Sequence, residues 1–210
     1  MANHPYPRAA RDALFFPLGI LLVYALINNP QILGKNRFLG PCSVTTISIV
    51  DQARARFDQA ANASRLVVAD GGTLDGAGTV TVTQEFAWLG GTLAGGGTVT
   101  TDGTAFLSIA GGDKQIRDRT ITITPDATGA WSGDGDIFAS KAGRFNNSGT
   151  FTIENDRAIY MRPDAEYPYA RFIFSNSGTL VKDAPYTRRA DAPQTAHIFR
   201  GGLISSRPRP

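Results

Sequence analysis

The sequence predicts an all-β chain, a right-handed parallel β-helix (β-solenoid) with a short helical segment ahead of it, and three observations carry that prediction. GGTLDGAGTVTVT, residues 71–83, returns 19 residues later as GGTLAGGGTVTTD, residues 90–102, with nine of the thirteen aligned positions identical. Apolar residues alternate with threonine in TVTVT (79–83), TITIT (120–124) and TFTI (150–153), the period-2 mark of half-buried strands. Gly-Thr followed by an apolar residue recurs at 72, 78, 91, 97, 149 and 178. A unit of about 20 residues with such short strands cannot bury its own apolar face, whereas stacked copies bury a continuous core.

The stacking makes register predictions. With coils about 4.8 Å apart, Gly72, Thr73 and Leu74 fall over Gly91, Thr92 and Leu93, and Gly78, Thr79 and Val80 over Gly97, Thr98 and Val99. A second echo runs from NNSGTF (146–151) to SNSGTL (175–180), 29 residues on. It sets Asn147 over Asn176, Gly149 over Gly178 and Phe151 over Leu180. Asn suits the left-handed backbone of a tight turn and its amides bond along a stack, so the two asparagines read as structural. Their wider spacing implies an insertion, for which RPDAEYPY (162–169) is the natural candidate. The expected total is roughly five or six coils.

Along the chain, residues 1–48 hold an uncharged apolar run, 13–27, behind Arg8 and Arg11. Fifteen residues suit the core of an export signal better than a membrane span of about 20, so an export signal or a membrane anchor is expected there, with membrane contact through 13–27. In residues 49–64, Ile49, Ala53, Phe57 and Ala60 recur at helical spacing, predicting an amphipathic linker or capping helix over the open end of the stack. Residues 65–183 form the solenoid domain. Residues 184–210, with Pro185, Pro193, Pro208 and Pro210 beside Arg188 and Arg189, read as a basic, proline-rich tail.

At the Gly-Thr repeats and the two Asn-Ser-Gly-Thr segments the chain resembles the passenger regions of bacterial autotransporters and filamentous-haemagglutinin-like surface proteins. The resemblance covers about residues 67–183. It implies a right-handed parallel β-helix, export to the cell surface, outer membrane or medium, and a structural or adhesive role toward host or surface glycans or proteins. The end of the chain, RGGLISSRPRP, lacks the amphipathic barrel pattern of an autotransporter, which counts against self-translocation.

The chemistry-bearing residues are few. The net charge of +3 belongs to the ends: residues 65–183 carry ten Lys/Arg against fourteen Asp/Glu and no positive stripe, so nucleic acid is not an expected partner. With Cys42 alone there is no intramolecular disulfide, and His4 and His197 stand apart, so no metal centre or cofactor is expected. Asp134 and Asp136 are two apart and would share a face on a strand, making them a weak Ca²⁺ or paired-acid candidate; a solvated Asp-Gly turn after Trp131 is the favoured reading, since Asp and Gly are the usual turn formers. Lys114, Arg117 and Arg119 lie among Asp113 and Asp118, and read as a self-neutralised solvated loop rather than a lyase site. Phe86, Trp88, Trp131 and Tyr160 are aromatic candidates that a solenoid would mostly bury. Tyr167 and Tyr169, with Arg162, are the expected ligand-contacting residues, because exposed loop aromatics favour recognition. The expected function is a structural or adhesive module without catalysis, against the alternatives of a carbohydrate-active lyase or hydrolase on the same scaffold and an inert fragment of a larger surface protein.

Overall fold

The computed structural model describes residues 36–69, 71–162, 171–183, 199–200 and 203–206. All pairing among them is parallel, and the chain is a β-solenoid. Its apolar residues alternate inward along short strands, and its glycine turns carry the chain from one wall to the next. A seven-stranded sheet forms one wall: β1 (Asn36–Phe38), β3 (Arg54–Phe57), β5 (Thr73–Asp75), β7 (Gly91–Ala94), β10 (Lys114–Arg117), β13 (Ile137–Ser140) and β16 (Ile159–Met161). The described residues thus make seven coils, one per strand of that wall.

The opposite wall changes character along the axis. In the first three coils it is one long strand per coil, β2 (Cys42–Ile49), β4 (Ala61–Val68) and β6 (Val80–Trp88). The nine residues of β6 then carry two strands side by side, β8 (Thr98–Thr101) on the first half and β9 (Phe106–Ile109) on the second. From there two columns run on, β11 (Thr120–Ile123), β14 (Ala142–Asn147) and β17 (Arg171–Asn176) beside β12 (Thr128–Trp131), β15 (Thr150–Ile153) and β18 (Thr179–Lys182). Backbone strands β19 (Phe199–Arg200) and β20 (Leu203–Ser206) pair with β17 and β18 and start an eighth turn.

The predicted registers hold. Leu74 lies opposite Leu93, Val80 opposite Val99, Asn147 opposite Asn176 and Phe151 opposite Leu180. One coil therefore takes 19 residues from β5 to β7, 29 from β15 to β18 and 24 from β18 to β20. Close stacking fixes the glycines between coils. Gly91 has φ +70°, and a Cβ there would sit 2.3 Å from the Gly72 carbonyl oxygen. At Gly178 a Cβ would meet the Gly149 oxygen at 2.1 Å, so only hydrogen fits.

Two expectations are overturned. Residues 49–64 form no helix: they contain the end of β2, all of β3 and the start of β4. Phe57 and Ala53, which satisfy a helical period, also satisfy period 2 with Ala55, and inter-coil pairing decides in favour of the strand. The solenoid is thus already under way at Asn36, the first described residue, ahead of the expected start near residue 65, and Arg54, Arg56 and Arg37 project outward, where Asp58 and Asp75 pair with them. The stack also exceeds the expected five or six coils. The apolar run 13–27 and nearly all of the tail 184–210 lie outside the described residues.

Candidate functional site

The charged segment 113–119 is not the solvated loop its composition suggests. Lys114 and Arg119 are fully buried. The Lys114 ammonium donates to the Gly112 carbonyl. Arg119 reaches back across two coils, its Nη1 donating to Ala94 O at 2.6 Å and Gly76 O at 3.3 Å, its Nη2 to Gly78 O at 3.2 Å. Burial pushes the guanidinium down to about 10, while the nearby Asp75 charge pulls the other way. A planar fork of donors serves carbonyls on successive coils at once, which a solvated loop reading of the charges could not anticipate. Both cations are held inside the stack by backbone carbonyls.

Asp134 and Asp136 sit in a turn, not a strand. Asp134 is exposed, with Arg157 Nη2 at 3.6 Å. Asp136 bridges coils: its N–H donates to Asp113 Oδ1 at 2.9 Å and its own Oδ1 accepts from Ala158 N–H at 3.0 Å. Among the described residues no three His, Cys, Asp or Glu side chains group as metal ligands. Cys42 is half-buried, and that burial pushes its thiol up.

Two features gather side chains in ways a plain scaffold does not require. The first is outside. Phe138 and Tyr160 pair across β13 and β16 on the outward face, since Ile137 and Ala139 take the inward positions. Their rings stack with centroids 5.6 Å apart and an interplanar angle of 18°. The Arg162 guanidinium carbon lies 3.6 Å from the centre of the Phe138 ring, a cation–π contact. Tyr160 and Arg162 are among the sequence-stated candidates; Phe138 is not, because a lone Phe in IFAS reads as core. Tyr167 and Tyr169 lie outside the described residues.

The second feature is inside. Trp88, Ile109, Trp131, Ile153 and Lys182 stack as one inward column, one residue per coil. Beside it, Phe86, Leu107, Gly129, Phe151 and Leu180 form another. Gly129 interrupts that column, and Phe151 leans toward it, its Cδ2 3.1 Å from where a Cβ would stand. Toward the last described coils these columns border a cavity of about 320 Å³ with thirteen apolar lining residues, of which Ile153, Ile159 and Phe172 are only half-buried. Asp156, Arg157 and Lys182 supply its charged edge. Burial pushes the Lys182 ammonium down, the Asp156 charge acting against it. The indole Nε1 atoms of Trp88 and Trp131 are buried without a hydrogen-bond partner.

Comparison with protein-family models, curated proteins and solved structures found no match to this chain.

Proposed function

We propose that this β-solenoid is an adhesive module of a bacterial surface or secreted protein, akin to autotransporter and filamentous-haemagglutinin-like passengers, and that it engages glycans through its outer aromatic platform. The supporting observation is the stacked pair Phe138 and Tyr160 with Arg162 over it. In a solenoid large aromatic rings belong inside, as Phe57, Phe86, Trp88 and Phe151 do here. An outward stack instead offers flat apolar faces to sugar rings, and Arg162 adds a donor fork for hydroxyl or carboxylate oxygens. Tyr167 and Tyr169, five and seven residues after Arg162 in the sequence, belong to the same proposed ligand-contacting set. The rigid stack of coils presents the platform without an ordering cost at the moment of binding.

The test is a glycan array probed with the full chain, followed by calorimetry on any hit with Phe138→Ala/Tyr160→Ala and with Arg162→Ala. Specific capture of a glycan that the double variant loses supports the reading. Absence of any glycan binding, or equal binding by the variants, removes it.

A further inference from the structure

We propose that the outer face of β6, β8 and β11 is an ice-binding surface, formed by two ranks of threonine whose spacing matches the oxygen net of ice. The face lies on the opposite wall from the aromatic platform and does not depend on the adhesive reading.

The core accounts for only half of the alternation in TVTVT and TITIT. Val80, Val82, Val99, Ile121 and Ile123 are the inward members, each at most 1% exposed, so the threonines between them face out. Thr81, Thr100 and Thr122 are in register on three successive coils, and Thr98 is in register with Thr120. The pairing of Val80 with Val99 carries one residue back, setting exposed Thr79 over Thr98. Six threonines thus stand in a grid of two by three. Neighbouring coils are about 4.8 Å apart and alternate residues of one strand about 6.7 Å apart, and no register shift interrupts these pairings.

The prism face of ice presents water oxygens in a flat rectangular net with close to both repeats. Each threonine offers a hydroxyl to that net and a methyl to its gaps, and β-branching restricts the rotation that would misplace them. Among the described residues no hydrogen bond takes up any of the six hydroxyls; Thr101 and Thr124, which do bond carbonyls, lie outside the grid. A hydroxyl bound to ice gains little over one bound to liquid water, so only the registry of the whole grid tells solid from liquid. The stack holds that registry before ice arrives.

Threonine is not the general surface of this chain. The seven-stranded wall turns Arg37, Arg54 and Arg56 outward. On the columns beside the grid Thr128, Thr150 and Thr179 are in register, but the parallel rank reads Ala130, Thr152 and Val181. The grid itself carries no charge; Arg144 ends one rank, and Asp102 stands at the corner beyond the other. The rank of Thr81 continues without charge through Asn62 and Ser43 on one side and Asn146 and Ser175 on the other.

The experiment places the full chain in a nanolitre osmometer, reads the gap between melting and growth temperatures of a single ice crystal and its shape, and measures partition into slowly grown ice against serum albumin. Faceted crystals, a gap and enrichment in ice are expected. Thr100→Lys, in the middle of its rank, should shrink the gap about fivefold or more, and Thr122→Lys should act alike. Thr150→Lys adds the same charge on the neighbouring columns and should behave as the wild type. Circular dichroism and melting midpoints establish that each variant is folded. Rounded crystals with no gap and no enrichment from the folded wild type overturn the proposal. Wild-type activity in both grid variants, or equal loss in Thr150→Lys, overturns the assignment to this face.

Discussion

Asn147 and Asn176 lie in register on adjacent coils, and the Asn147 Nδ2 donates to the Asn176 Oδ1 at 2.7 Å within the buried interior. The same Nδ2 also donates to Thr179 O at 2.9 Å, and Asn176 Nδ2 donates to Gly178 O at 3.2 Å. The ladder has a defined beginning. The residue opposite Asn147 on the preceding coil is Ile123, which has no donor to give, and the Asn147 Oδ1 is accordingly left without a partner.

Asn147→Leu should therefore destabilise the chain by about 1–3 kcal/mol, the cost of leaving Asn176 and a turn carbonyl unmet inside. Ile123→Asn extends the ladder backward and meets the orphaned oxygen, so its penalty should be smaller than that of Val99→Asn, which has no amide neighbour. Urea midpoints of the three variants check the order.

Gly91→Ala should cost more than a helix-propensity change, since the new methyl meets the Gly72 carbonyl and the backbone is left-handed. A loss of about 2 kcal/mol or more is expected from strain and displaced stacking together. Gly96→Ala is the control: a Cβ at Gly96 meets nothing within 4 Å, and the midpoint should barely move. Thermal melts of both variants against the wild type decide it.

Asp75 sets an acid limit on the first coils. Burial would push its carboxyl up, but hydrogen bonds from Arg54 and the Gly76 N–H, with the charges of Arg54 and Arg56, outweigh it and hold the group below the usual carboxylate range. The unfolded chain thus binds the proton first on acidification. The stabilisation is present above the unfolded value of about 4 and is lost as the pH falls through the lower folded one. Asp75→Asn should flatten the fall of the urea midpoint between neutral pH and about pH 3; an identical slope would show that the pair contributes nothing.

Much of the fold is legible in the repeats because identical side chains one coil apart state their own register: Val80 and Val99 can be paired on paper, and so can Asn147 and Asn176. What escaped the sequence are contacts across coils of unequal length. Arg119 meets carbonyls on two earlier coils, and no local pattern marks a charge that is paired by backbone oxygens so far back in the chain. Residues 49–64 satisfy two periods at once, and a neighbouring coil, invisible in a short window, chooses between them. The aromatic platform was half legible. Tyr160 and Arg162 stand next to an obvious insertion, while Phe138 becomes an outer residue only once β13 is aligned with β16.

The branching of the wall at β6 divides the described coils into three with one long strand on that wall and four with two short ones. In the branched part a corner separates the two columns, as between β8 and β9, whereas the continuous strands β2, β4 and β6 offer no such break. New surface loops grafted into this protein therefore belong at the corners after Trp88, and a cargo placed among the first three turns would unseat every layer above it.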